Sequence, residues 1–218
     1  MPIRVMSKAA RGVIALSDRV LHPWRRRRAL ESLRALQPIE SLVFVCQGNI
    51  CRSPFAAELF VQLLPAPIRP RFKVRSAGLW GEERAPPEEA IRVGYVRGID
   101  LSAHRSRRLS WADLESVDLV VVMSGEQRRV VVKKFGWPAD AVLVLGDLDP
   151  EPIRARTITD PWSHSEAVFE ESFARIHRTV EVLVRELTAR SIILEEAADS
   201  DRDEPFLEDG VGVGHGAD

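Results

Sequence analysis

The segment Ser41–Leu64, SLVFVCQGNICRSPFAAELFVQLL, joins a strand-like run to a helix-like run. Its first six residues, Ser41–Cys46, form a short apolar run of the kind that buried strands have. Residues Ser53–Leu64 have a helical composition, with a serine at the start and Pro54 in the first turn, where a helix tolerates proline. The segment therefore predicts a strand, a short loop and a helix, in that order.

The alternation of strand-like and helix-like runs continues along the chain. Further strands are predicted at Phe72–Ser76, Asp118–Met123 and Ala141–Leu145. Further helices are predicted at Pro86–Arg97, from after Met123 to about Phe135, and at Ser165–Arg190. Such alternation favours a parallel sheet with right-handed crossovers, in which ligands bind beyond the carboxyl ends of the strands. The sequence predicts an α/β fold, a single domain with a four-stranded parallel sheet and helices on both faces.

The net charge of -1 conceals regions of opposite charge. Residues 1–40 have nine Lys/Arg and three Asp/Glu, whereas residues 191–218 have nine Asp/Glu and one Arg. We predict a partly helical basic N-terminal extension (1–40), a globular domain (41–190) and a disordered acidic tail with glycines (191–218). Within the extension, residues 24–36 are compatible with a basic amphipathic helix at a membrane surface or partner, or with a solvated helix that docks on the domain itself.

Cysteine usage indicates a reducing compartment. The chain has only two cysteines, Cys46 and Cys51, too few for a secreted disulfide framework. No apolar run reaches the roughly 18 residues that a membrane span needs, and the N-terminus has no apolar core typical of a signal peptide. We expect a cytoplasmic protein; an organelle transit peptide is the alternative interpretation of the Arg-rich N-terminus.

The loop Cys46–Ser53 has the composition of an anion site. Gly48 allows close approach of the backbone and Asn49 tolerates left-handed geometry, so that successive N–H groups can point inward at an anion. Arg52 can donate to two phosphate oxygens. The same donors favour the thiolate form of Cys46, which is the nucleophilic form. The loop therefore predicts a site that binds phosphate and activates a nucleophile.

The string Val45–Pro54, VCQGNICRSP, followed by Ala57 and Glu58, resembles the signature loop of the low-molecular-weight protein tyrosine phosphatase family. Asp160-Pro161-Trp162 matches that family's Asp-Pro-aromatic loop before the last helix. The resemblance covers about residues 40–190. It implies an enzyme that hydrolyses protein phosphotyrosine and that needs neither a metal ion nor another cofactor.

The resemblance also implies roles for individual residues. Cys46 attacks phosphorus and forms a phosphocysteine, and Asp160 protonates the departing phenolate and then activates the hydrolytic water. Arg52 and the loop amides hold the equatorial phosphate oxygens. The resemblance also assigns phosphate binding and support of the loop to a larger set of residues: Gln47, Gly48, Asn49, Ile50, Cys51, Ser53, Ser76 and His104. The two residues expected to line the substrate cleft are Trp80 and Trp162.

Two positions depart from the family's usual residues, and a third residue allows two interpretations. Relatives usually have an acid at the position of Ser124 and often have a second aromatic at the position of Ser163. For Cys51, the resemblance implies a reversible disulfide with Cys46, and a passive buried thiol is the alternative.

Other functions remain compatible with the same fold. Protein arginine phosphatases typically have Thr at the position of Ile50, and the bulkier Ile50 favours an aryl phosphate. An arsenate reductase and an inactive phosphate-binding module are the further alternatives, although a thioredoxin-coupled reductase needs more cysteines. The expected partner is a tyrosine-phosphorylated protein, with a bacterial tyrosine kinase of polysaccharide export as one candidate because bacterial relatives often act on such kinases. We expect no nucleic acid partner, and at most a weak membrane-surface contact of the extension.

Overall fold

The computed structural model describes the backbone of residues 8–200 and the side chains of residues 16–189. One sheet contains β1 (Ser41–Cys46), β2 (Lys73–Gly78), β3 (Leu119–Val122) and β4 (Val142–Val144). The strands are parallel and lie in the order β2-β1-β3-β4. The predicted four-stranded parallel sheet is confirmed, and β1 has the predicted bounds.

Six helices surround this sheet in the described part of the chain. They are α1 (Lys8–Ala35), α2 (Arg52–Leu63), α3 (Glu88–Val96), α4 (Trp111–Glu115), α5 (Gly125–Lys134) and α6 (Glu166–Ser200). Short 3-10 turns lie at Arg69–Arg71 and Leu145–Leu148. The sequence did not predict α4, which is a single short turn. A capping box defines its start, because the Ser110 hydroxyl accepts from the Asp113 N–H and the Asp113 carboxylate accepts from the Ser110 N–H.

Helices cover both faces of the sheet, because successive strand residues point in opposite directions. On one face, Phe44 of β1 packs in a core that α2 and α6 close, where the rings of Phe55 and Phe173 stack with centroids 4.0 Å apart. On the other face, Val43 belongs to a second core that includes Val131 of α5. The two buried cores confirm the predicted layered architecture.

The last helix is longer than predicted. α6 ends at Ser200, ten residues beyond the predicted end at Arg190. Their acidic charge places residues 191–200 in the predicted disordered tail, but the segment contains Leu194, Glu195-Glu196 and Ala197-Ala198, which are strong helix formers, and it continues the helix. Residues 1–7 and the rest of the predicted tail, 201–218, lie outside the described residues.

The basic extension forms a helix that docks on the domain. Leu33 of α1 is 1% exposed and contributes to the core that contains α6. Near the end of the helix, Arg34 forms an ion pair with Glu186 at 3.0 Å. Of the two interpretations of this segment, self-docking is the one that the structure shows. No helix within the described residues combines the length and apolar composition that crossing a membrane requires.

A buried carboxylate ties the segment after β4 to α6. The side chain of Asp149 is fully buried and accepts from Arg175 at 2.8 Å and from Arg178 at 2.7 and 3.0 Å. Burial alone would raise the pKa of Asp149, but the hydrogen bonds and charge of Arg178, together with the charge of Arg175, outweigh burial and hold this pKa below its ordinary value. The ionised form of Asp149 therefore stabilises the folded state.

We predict that Asp149→Asn lowers the free energy of unfolding by about 3 kcal/mol at pH 7, because it leaves two partly buried guanidinium groups without their counter-charge. The folded pKa is lowered, so the contribution of Asp149 is complete above the unfolded pKa of about 3.9 and disappears as the pH falls through the folded value. The difference between wild type and variant should therefore persist down to about pH 4 and shrink below it. Urea unfolding across this pH range measures both effects.

The matched control is Glu151→Gln. Glu151 lies 3.6 Å from Arg178, but its side chain is 64% exposed. We expect this variant to change stability by less than about 0.5 kcal/mol. Equal stability losses in the two variants would contradict the role given to Asp149.

Candidate active site

The first strand presents Cys46 at its carboxyl end, and the following loop enters α2 at Arg52. The loop packs closely on the end of β2, where Gly78 is the register partner of Cys46. A Cβ atom at Gly78 would lie 2.8 Å from the Trp80 carbonyl oxygen and 3.0 Å from the Asn49 nitrogen. Only glycine, which has no Cβ atom, therefore allows the loop to pack this closely on the sheet.

Hydrogen-bond donors surround the Cys46 sulfur. Cys46 is 2% exposed, and its Sγ accepts from the Asn49 N–H at 3.2 Å. The Ser53 hydroxyl lies 3.1 Å from the same sulfur and 3.3 Å from the carbonyl oxygen of Ala77, so its one proton can be donated to either acceptor. Donation to sulfur stabilises a thiolate, which suits Cys46 to act as a nucleophile and as a leaving group.

Asn49 connects the loop to its surroundings. Its backbone is left-handed, with φ of 52°. Its side-chain Nδ2 donates to the hydroxyl groups of Ser53 at 3.0 Å and Ser76 at 2.9 Å. Its side-chain oxygen accepts from the Arg107 N–H at 2.9 Å. The structure thus brings the Ser76 hydroxyl to the side chain of Asn49. It places the His104 Nε2 2.7 Å from the main-chain carbonyl of Asn49 rather than from the side chain, so Nε2 is the protonated ring nitrogen.

The side chain of Arg52 links this loop to Asp160. Arg52 is 3% exposed; one terminal nitrogen donates to the Ile158 carbonyl at 3.1 Å and the other forms an ion pair with the Asp160 carboxylate. Its Nε has no partner among the described residues. The guanidinium is therefore held in place by main chain while it keeps a donor for an anion. The contact with Ile158 had no signal in the sequence, because the acceptor is a main-chain carbonyl.

The predicted aromatic residues lie at two different parts of the rim. Trp162 is half-exposed, and the guanidinium carbon of Arg84 lies 5.9 Å from its ring centroid. Trp80 is largely exposed and lines a separate cavity of about 260 Å³ with Gln47 and Arg108. Trp162 and Trp80 both belong to loops that border the Cys46 loop.

Sequence reasoning did not identify Arg84. Its N–H donates to the Ser106 hydroxyl at 3.0 Å, and its side chain reaches over Gly48, where an added Cβ would lie 4.0 Å from the guanidinium. Arg84 forms no ion pair with a carboxylate among the described residues. Nothing in the local sequence distinguishes this arginine from the others, since only the fold brings it to the loop.

The remaining loop residues are mostly buried. Ile50 is 5% exposed and packs in the core, while the Gln47 carbonyl accepts from the Trp80 N–H at 2.9 Å. Cys51 is 2% exposed, and burial, followed by the nearby charges of Cys46 and Asp160, raises the pKa of its thiol far above the ordinary value. Cys51 is therefore a neutral thiol at neutral pH. Both cysteines are free thiols in this structure, and the disulfide between them stays a prediction.

This arrangement can transfer a phosphoryl group. A sulfur nucleophile, a guanidinium and a carboxyl group meet beyond the carboxyl end of β1, where parallel sheets bind ligands. Cys46 can attack phosphorus, Arg52 can hold oxygens, and Asp160 can move a proton. Among the residues whose side chains are described, no three His, Cys, Asp or Glu groups come together as a metal site.

Comparisons with known proteins agree on one family. A family model described as low molecular weight phosphotyrosine protein phosphatase matches residues 41–192. A protein of Ralstonia solanacearum, named "Probable low molecular weight protein-tyrosine-phosphatase EpsP", is 33% identical over 152 residues, which cover 69% of this chain and 98% of that protein. A protein-arginine-phosphatase of Bacillus subtilis is 28% identical over 148 residues, which cover 67% and 95%. Among solved structures, the YwlE arginine phosphatase from Geobacillus stearothermophilus matches with a TM-score of 0.62 and 25% identity, over 72% of this chain and 97% of that one.

The position of Asn49 leads to a prediction about phosphate binding. Asn49→Ala removes the side-chain hydrogen bonds and strains the left-handed backbone, so we expect it to weaken binding of inorganic phosphate at least about 10-fold. Asn49→Gly loses the same bonds but tolerates the backbone, so its loss should be smaller. Titration calorimetry compares both variants with Ser102→Ala, a control on the surface. Wild-type affinity in Asn49→Ala would show that the loop does not depend on this side chain.

Proposed function

Because this chain belongs to the low molecular weight phosphotyrosine protein phosphatase family, we propose that it hydrolyses protein phosphotyrosine through a phosphocysteine on Cys46. Family membership makes the chain a phosphatase of the low-molecular-weight type. The observation that carries the assignment of residues is the convergence of the Cys46 loop, the Arg52 side chain and the Asp160 carboxylate at one end of the sheet. The proposed reaction uses these side chains and no metal ion.

The reaction has two steps in this proposal. First, the Cys46 thiolate attacks phosphorus, the phosphorus–oxygen bond to the tyrosine breaks, and the leaving oxygen takes the proton of Asp160. A phosphate dianion competes with Asp160 for Arg52, which frees the carboxyl group for this transfer. Then water attacks phosphorus, gives a proton to Asp160 and displaces the Cys46 sulfur, to which Ser53 can donate. The products are tyrosine and inorganic phosphate.

The rim favours phosphotyrosine over phosphoarginine. Trp162 offers an aromatic face to a phenyl ring, and the cation of Arg84 stands beside it, 5.9 Å from the ring centroid. The leaving group of phosphoarginine is itself a guanidinium, which Arg84 would repel. The apolar, buried side chain of Ile50 offers no hydrogen bond to such a group. Arginine phosphatase activity is the second candidate, because some of the similar proteins carry that name.

The partner is a phosphoprotein, and we extend the proposal to a bacterial tyrosine kinase of polysaccharide export. Support for the kinase comes from the family resemblance alone. The proposed location is the cytoplasm, since a chain with only two cysteines suits a reducing compartment.

We predict that the protein hydrolyses para-nitrophenyl phosphate in the presence of EDTA and that Cys46→Ser abolishes turnover, because an alcohol at this position is a far weaker nucleophile than a thiolate. Asp160→Asn should lower kcat/KM for phenyl phosphate by about 10²- to 10⁴-fold, since the leaving phenolate then lacks a proton donor. Retained binding of inorganic phosphate by Cys46→Ser serves as the control for folding. Turnover by Cys46→Ser close to that of wild type would refute the nucleophile assignment.

The rim residue Arg84 leads to a prediction about selectivity. Arg84→Ala should lower kcat/KM for a phosphotyrosine peptide about 2- to 5-fold, the range that an exposed cation–π contact provides. The same variant should raise kcat/KM for a phosphoarginine peptide, because the repulsion is removed. Arg129→Ala, which loses only an exposed pair with Glu126, is the matched control. A change of kcat/KM in the same direction and of similar size for both peptides would show that Arg84 does not select the leaving group.

A further inference from the structure

The loop that carries Asp160 is attached to α1 at two points. We call residues 149–165, between the 3-10 turn after β4 and α6, the acid loop. The His22 Nε2 lies 2.9 Å from the Asp149 carbonyl, and the Asp18 carboxylate accepts from the Arg156 N–H at 2.9 Å. Asp18 and His22 are four residues apart, so they lie on the same face of the helix. The helix therefore holds the first part of the acid loop, residues 149–156, at both ends.

Both α1 side chains are well fixed. His22 is 5% exposed, and its Nδ1 is buried without a partner among the described residues, which identifies Nε2 as the donor to the Asp149 carbonyl. The second oxygen of Asp18 accepts from Arg25 at 2.7 Å, and the Asp18 side chain is only 13% exposed. Asp18 is thus a largely buried, charged acceptor held at a set position on its own helix.

Arg156 connects the contact with α1 to the active site. Its side chain donates to both oxygens of Asp147, at 2.8 and 2.6 Å, and a Cβ at Gly146 would lie 2.2 Å from its carbonyl oxygen. Two residues later, Ile158 donates to the Met123 carbonyl at 3.0 Å and accepts from Arg52. Residues 156–160 therefore begin at the bond to Asp18 and end at Asp160. They include the Ile158 carbonyl, which is the main-chain acceptor of Arg52.

This attachment is an addition to the family domain. The family model begins at residue 41, so α1 lies outside the matched region. The acid loop between its two attachment points is largely exposed, with Ile153 as its buried residue. The bond from the Arg156 N–H to α1 is accordingly one that the matched region does not supply.

We propose that Asp18 of α1 is a positioning residue for the general acid: by holding the Arg156 N–H it fixes the acid loop so that Asp160 and the Ile158 carbonyl meet Arg52. This rests on the proposed phosphatase function. A positioning role is distinct from simple stabilisation, because loss of the acid's position slows substrates with poor leaving groups more than substrates whose leaving group needs little protonation.

The test compares kcat/KM for phenyl phosphate, a poor leaving group, and para-nitrophenyl phosphate, a good one. We expect Asp18→Ala to lower kcat/KM for phenyl phosphate about 5- to 10-fold and that for para-nitrophenyl phosphate less than about 2-fold. Asp18→Asn keeps an acceptor oxygen for the Arg156 N–H and should restore most of the loss. Glu31→Ala, which removes an exposed pair with Arg27 on the same helix, is the matched control and should leave both values unchanged.

Hydrogen–deuterium exchange supplies a second measurement that does not depend on turnover. Amides at residues 154–160 should exchange faster in Asp18→Ala, while those of β1 should not change. An equal loss on both substrates, no loss on either, or unchanged exchange at residues 154–160 would overturn the proposal. Absence of activity in wild type would instead refute the proposed phosphatase function, and the exchange measurement would still test the attachment.

Discussion

The conformation of Asn49 is the constraint on which the active-site loop depends. Its left-handed backbone, with φ of 52°, turns the chain so that its own N–H meets the Cys46 sulfur at 3.2 Å. Its side chain then joins Ser53, Ser76 and the Arg107 N–H, which belong to three separate parts of the chain. A single asparagine therefore couples the position of the nucleophile to β2 and to the loop before α4. Because the polar atoms are buried, the loss of any one partner leaves an unsatisfied group and is costly.

Local sequence was sufficient for the parts of the molecule in which neighbours along the chain determine the structure. The apolar run Ser41–Cys46 forms β1 within its predicted bounds. The glycine and asparagine after it predict an anion loop, and the structure places residues 46–52 beyond the carboxyl end of this strand. The parts that escaped prediction depend on distant contacts. Arg84 comes to the rim through Ser106, and Arg52 is oriented by the main chain of Ile158. Charge alone also misassigned residues 191–200, where helix formers continue α6.

The N-terminal helix shows why a charge pattern does not identify a partner. Several of its basic residues are used within the protein: Arg25 pairs with Asp18, and Arg34 pairs with Glu186 of α6. Its apolar side faces the core through Leu33. Together with the bonds from Asp18 and His22 to the acid loop, these contacts join a segment outside the family match to the catalytic end of the domain. In our proposal, the helix thus contributes to the geometry of catalysis as well as to stability.

The central claim is that Cys46 carries the phosphoryl group during turnover. The most direct measurement is acid quench of the enzyme during hydrolysis of para-nitrophenyl phosphate, followed by proteolysis and mass spectrometry of the peptide that contains Cys46. We predict one phosphate on this cysteine, with a higher yield in Asp160→Asn, because hydrolysis of the intermediate then lacks its base. An actively hydrolysing enzyme with no phosphate on Cys46, or with phosphate on another residue, would contradict the account.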